Sequence, residues 1–224
     1  MAYGPPKSVA RRMKKLAAKR HRAEERAFKP LAVEIGWIAY EWNRLHTFLG
    51  DIFILLVVGI STDESDLASS PARAAWHSLT NERSQRDMIQ AALHNRYNLI
   101  DRKPAFYDEL IWLLEQLKQR FSGYRNDALH APFLIDTTWS DKPKTTIVPF
   151  YSSGNLRAES LKNKNVLAEF QRYKTDMKKL SDYAESIVFA IEFDDFALPH
   201  RPILHKTEVH PQRQSPQKNK NKEP

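Results

Sequence analysis

The segment Ser122-Gly123-Tyr124-Arg125-Asn126-Asp127-Ala128-Leu129-His130 sets an arginine, an asparagine and a histidine close together in the chain. An imidazole, with an ordinary pKa of about 6.5, takes or gives a proton close to neutrality. A planar guanidinium holds two phosphate oxygens at once and offsets the charge that builds on them in a pentacoordinate transition state. On a helix, Asn126 shares a face with His130 four positions on, whereas Arg125 sits about 140° round from it. These residue types describe phosphodiester transfer, with Arg125 on the phosphate, Asn126 binding or orienting, and His130 moving protons. They also describe a plain polar helix end, with Arg125 and Asp127 in solvent and His130 favoured by the helix dipole ahead of Pro132. The Arg-to-His spacing does not separate the two readings, because both residue types are common here; asparagine directly after the arginine is the narrower feature.

Two long amphipathic segments must frame that cluster. Leu31, Ile35, Ile38, Trp42, Leu45, Leu49, Ile52 and Leu56 follow a 4-3-4-3 rhythm, with Pro30 suited to a first helical position, which predicts a helix over roughly 30–58. Val166, Phe170, Tyr173, Met177, Leu180, Ala184, Ile187 and Ile191 repeat the rhythm and end near Asp194 and Asp195. Shorter helices are expected at about 71–80, 81–98 and 104–121, the last running into the cluster. Seams of this kind pack at small crossing angles, so the fold class is all-α, an antiparallel helical bundle. Thr137, Thr138 and Trp139, then Thr145 to Val148, flank Ser-Asp-Lys-Pro and read as a small β-hairpin or loop insertion, with Pro149 a poor central-strand residue.

The 224-residue chain is long enough for one sizeable core. Its net charge of +8 is unevenly placed. Residues 1–30 carry ten Lys and Arg against Glu24 and Glu25, residues 197–224 carry six against Glu208 and Glu223, and the middle is acidic. This divides the chain into a basic N-terminal arm or helix (1–29), a helical bundle (30–196) and a disordered basic tail (197–224). Basic arms are the electrostatic footprint of a polyanion partner, although terminal charge runs are as often simply solvated. The chain has no cysteine, which excludes disulfides, thiol nucleophiles and cysteine-ligated metals. Its six glycines form no phosphate-cradling loop, and no histidine has Glu-x-x-His or His-Glu-x-x-His spacing. The apolar run Ile52 to Ile60 is too short to cross a bilayer, and the N-terminus lacks a secretory h-region, so a cytoplasmic protein without membrane partners or cofactor is expected.

A bundle of amphipathic helices carrying Arg125-Asn126-x-x-x-His130 near the end of its third or fourth helix resembles the HEPN superfamily (higher eukaryotes and prokaryotes nucleotide-binding), in its ribonuclease branch. The likeness covers about residues 30–195. It implies a metal-independent endoribonuclease that works as a homodimer, with two motifs facing one cleft. The implied chemistry is attack of a ribose 2′-OH on the adjacent phosphate to leave a 2′,3′-cyclic phosphate, with Arg125, Asn126 and His130 as the catalytic set. RNA is then the substrate; a toxin or defence role, with an antitoxin or regulatory protein as partner, and a stress response all stay open as the biological setting. Pro132 departs from the family pattern, in which the motif helix continues well past the histidine. The rival expectation is a non-catalytic helical module that binds nucleic acid or a protein through its basic arms.

Secondary candidates lie on or beside the polar face of the first long helix: Glu34, Glu41, Arg44 and His46. Glu34 and Glu41 orient Arg125 or His130 if that face lines the cleft; ordinary i,i+3 ion pairs such as Glu41 with Arg44 are the plainer expectation. Trp37, Tyr40, Trp42, Trp76 and Trp112 read as core or dimer interface, while Tyr124 beside Arg125 is placed to stack a base.

Overall fold

A computed structural model describes residues 6–59, 71–95, 104–138, 144–150, 154–193 and 196–205. The elements are α1 (Lys7–Val57), α2 (Pro71–Ser78), α3 (Glu82–Asn95), α4 (Pro104–Gln116), a π-helical turn (Leu117–Phe121), α5 (Ser122–His130), β1 (Phe133–Thr138), β2 (Lys144–Pro149), α6 (Leu156–Ser160) and α7 (Val166–Glu192). The architecture is a helical bundle with a small antiparallel hairpin, as the periodicity predicts.

Both long seams are found. Leu31, Ile38, Leu45, Leu49 and Ile52 of α1 are buried, as are Phe170, Met177, Leu180, Ala184 and Ile187 of α7. Their relative direction corrects the expectation of a purely antiparallel bundle. Glu34 pairs with Lys174, and ten residues further along α1 Arg44 pairs with Asp182 and Glu185, so α1 and α7 run parallel. The reason is the long intervening chain. The leg from α4 to α5 runs back antiparallel to α7, with Trp112 against Tyr183 and Tyr124 against Tyr173, and α7 then returns alongside α1.

Helix α1 begins 23 residues before the expected start at Pro30, at Lys7, and runs through Pro30. Ala, Lys, Arg and Glu dominate residues 10–29, and all are strong helix formers. Pro30 has no N–H to give the Arg26 carbonyl; both residues are exposed, so the proline costs the helix little there. The basic N-terminal segment is therefore a continuous helix.

The hairpin pairs Phe133 with Pro149 and Ile135 with Ile147, and the Phe150 N–H closes on the Pro132 carbonyl at 2.9 Å. Pro149 is tolerated because it ends a strand in a sheet of two. Trp139 and the Ser-Asp-Lys-Pro turn lie outside the described residues, as do Asp194, Asp195 and 206–224.

The expected disordered tail needs correction over 197–205. This stretch forms a strap across α4 and α7. Arg201 pairs with Glu109 at 2.8 Å, Lys179 donates to the Ile203 carbonyl, Arg120 donates to the His205 carbonyl, and Leu198 and Leu204 pack on the core. Pro199 and Pro202 suit a strap, since an extended chain tied by side chains needs no N–H ladder.

Candidate active site

The π turn sets up α5. One wide turn at Leu117–Phe121 shifts the helix register before Ser122, whose Oγ lies 3.0 Å from the Leu117 carbonyl and 2.7 Å from Glu82 Oε1. Such turns inside a helix are frequent at functional sites. After it, Phe121, Tyr124 and Ala128 face the core, which leaves Arg125, Asn126 and Asp127 half-buried and His130 exposed. Arg125 Nη1 donates to Asn126 Oδ1 at 2.9 Å, while Arg125 Nε is buried with no hydrogen-bond partner. Asp127 Oδ2 accepts from Ser160 Oγ at 3.0 Å, tying α5 to α6. The helix stops at His130 because Ala131, preceding Pro132, is extended (φ −69°, ψ 127°). Five positions of α-helix separate Arg125 from His130, so the two side chains leave α5 about 140° apart.

Helices α1 and α3 supply the polar surroundings. His46 is largely buried against Trp42, with ring centroids 4.6 Å apart. Burial first, then the nearby Arg86 and Arg125 cations, push its pKa down to about 4, against a hydrogen bond with Gln85 that acts the other way. It is a neutral imidazole at physiological pH, and its Nε2 is buried without a partner. Gln85 Nε2 donates to the carbonyls of Trp76 and Leu79, which anchors the amide beside α2. Arg86 is held by Glu82, which also meets Ser122. Burial lowers the Arg86 pKa, with Asp87 opposing.

The other candidates fall elsewhere. Glu34 is buried and ion-paired to Lys174 at 2.7 Å, and Glu41 is buried 3.5 Å from Arg44. Neither ion pair involves Arg125 or His130, and Arg44 itself spans to Asp182 and Glu185 of α7. Glu41 with Arg44 is the ordinary pair of the plainer expectation, whereas Glu34 with Lys174 braces α1 against α7. Tyr124 is not presented to a base: it is buried, stacked on Tyr173 at 4.0 Å and 8°, because it shares the inward face of Phe121 and Ala128. Trp42 and Trp76 are core as expected, whereas Trp37 and Tyr40 are 48% and 56% exposed.

A cleft of about 400 Å³ lies away from α5, between Pro30, Leu31, Thr146, Ile147 and Val166. Lys164 is its one titratable lining residue, so it offers little chemistry. Among the described residues, no three His, Asp or Glu side chains group as a metal site requires, and no helix is long and apolar enough to cross a membrane.

Comparison with family models, curated proteins and solved structures finds no match. Sequence reading missed Glu82, Gln85, Arg86 and Ser122 as neighbours of the site. The i,i+4 spacing of Glu82 and Arg86 signals only a surface helix pair, and nothing in the sequence turns that pair toward Ser122.

Proposed function

We propose that the chain is a metal-independent endoribonuclease of the HEPN type, acting as a homodimer. The observation that carries this reading is the Arg125 guanidinium, fixed through Nη1 by Asn126 and unpartnered at Nε, on a short helix that ends in an exposed imidazole. A fixed guanidinium suits a phosphodiester, because it need not reorganise as charge develops on the phosphate oxygens. The wide angle between Arg125 and His130 favours two copies, each giving one of the residues to a shared cleft. In the reaction, a His130 imidazole takes the proton of a ribose 2′-OH as the new 2′-O–P bond forms. The P–O5′ bond then breaks, and a His130 imidazolium protonates the departing 5′-oxygen. The products are a 2′,3′-cyclic phosphate and a 5′-hydroxyl. Unrestrained RNA cutting fits a toxin or defence protein of the cytoplasm that is held in check by a partner.

An RNA strand and the same strand with 2′-deoxyribose throughout, incubated with the protein in EDTA, test the chemistry. The RNA should be cut to cyclic-phosphate ends and the deoxy strand left whole. Cutting of the deoxy strand, or cutting only after metal is restored, would contradict the reading.

A second reading is favoured by a separate observation. From Lys7 to Arg22 every side chain of α1 is exposed, and the segment carries eight Lys and Arg with no Asp or Glu. A helix with no apolar cover and such charge suits a nucleic-acid-binding module that needs no catalysis.

A further inference from the structure

Arg11, Lys15, Lys19, Arg22, Arg26 and Lys29 are spaced 4-4-3-4-3 along α1, so they form one stripe down a single face of the helix. The same spacing continues through Val33, Trp37 and Tyr40, and all nine side chains are exposed. The stripe lies opposite the seam of Leu31, Ile38 and Leu45 that enters the core. Successive members stand about 4.5–6 Å apart along the axis. The two carboxylates of the arm, Glu24 and Glu25, are engaged by Arg20 and His21, which lie off the stripe. Trp37 and Tyr40 meet edge to face, with centroids 5.6 Å apart at 88°, so one ring still offers a face to solvent.

We propose that this stripe is a track for a single-stranded nucleic acid, with the six cations on its phosphates and Trp37 and Tyr40 stacking its bases. The proposal deepens the second reading above, that the arm holds nucleic acid, and rests on it, but it does not depend on cleavage by α5. Cations in a row suit a polyanion, and the exposed rings at the end of the row suit flat partners. A duplex meets only the first need, because its bases are already stacked within it. A second copy of the chain meets only the second need, because its own cationic arm would repel this one. An unpaired polynucleotide meets both.

Binding of a fluorescently labelled oligo-dT to the full chain tests the track, since DNA lacks the 2′-OH and its binding is read independently of any RNA cleavage. Trp37→Ala with Tyr40→Ala should weaken binding by about 5- to 100-fold, the range of lost stacking, and leave the salt dependence unchanged. Trp37→Phe, which keeps a ring, should retain most of the affinity. Arg22→Gln, Arg26→Gln and Lys29→Gln together should flatten the slope of log K against log salt by about 2, at ~0.7 per lost phosphate contact. A duplex should bind the wild type and the ring-less variant equally. The proposal is overturned if the ring-less variant, with melting temperature unchanged, binds oligo-dT as the wild type does. It is equally overturned if that variant changes only the oligomeric state in sedimentation, which would assign the rings to a second copy.

Discussion

Asn126 Oδ1 accepts a 2.9 Å hydrogen bond from Nη1 of Arg125, its immediate neighbour in α5. The bond holds a half-buried guanidinium by one corner and leaves the buried Nε without a partner. If that arrangement serves phosphate binding, its loss should appear in rate rather than in stability. Asn126→Ala should lower RNA cleavage by about 10- to 100-fold, the scale of a misplaced catalytic group, with an unchanged melting temperature. Asn126→Asp should be no better, since a carboxylate there would compete with the phosphate for Arg125. Equal loss of rate and stability would mark Asn126 as a structural residue instead.

His46 makes stability depend on pH. Its folded pKa is pushed down to about 4 from an ordinary 6.5, chiefly by burial. Between those values the unfolded chain binds the proton and the folded chain does not, so stability falls as pH drops from about 6.5 to about 4 and is fully present above that window. The drop from this residue is at most about 3 kcal/mol. Urea titrations at pH 7 and pH 4.5 should show a smaller difference for His46→Gln, which cannot charge, than for the wild type.

Gly50 is a packing necessity on α1. A Cβ there would lie 2.8 Å from Trp76 Nε1 and 3.1 Å from its Cδ1. The indole cannot yield easily, being 2% exposed and stacked on Phe53 at 5.8 Å. Gly50→Ala should therefore destabilise by about 1–3 kcal/mol, despite the gain of up to ~1 kcal/mol that alanine brings to a helix. The denaturant midpoint reads this directly, and a stabilised variant would show that α2 can move.

The strap closes on a buried carboxylate. Asp176 is fully buried, and its Oδ1 lies 2.7 Å from His205 Nδ1 and 3.2 Å from the His205 backbone N. His205→Ala removes the side-chain partner and should cost about 1–3 kcal/mol. Hydrogen exchange over residues 196–205 should rise in that variant while exchange in the centre of α1 holds at the new global limit.

The two long seams were legible because a 4-3 rhythm of large apolar residues identifies a helix and its inner face. It carries no direction, which is why the parallel run of α1 and α7 became visible only through Glu34–Lys174 and Arg44–Asp182. The π turn was hidden because Leu117 and Phe121 stand four apart, as an α-helix also places them. Residues 7–29 have the composition of a good helix, yet Pro30 read as a start signal. Pro199 and Pro202 read as disorder although Arg201, Leu204 and His205 anchor the strap. In the site, Arg125, Asn126 and His130 were visible as a run of residue types. His46 was visible only as a polar position, because its neighbours Gln85 and Arg86 come from another helix. Trp37 and Tyr40 read as core or dimer interface by type; the core lies on the opposite side of α1, so only the core reading falls.

The proposed cleavage of RNA runs through His130, which is exposed and carries little packing. The direct measurement is cleavage of an end-labelled single-stranded RNA in EDTA by the wild type and by His130→Ala, with equal melting temperatures established first. Cutting by the wild type is expected, with a loss of at least about 100-fold in the variant, the scale of a lost general acid or base. Cutting by the variant at the wild-type rate would contradict this role of His130.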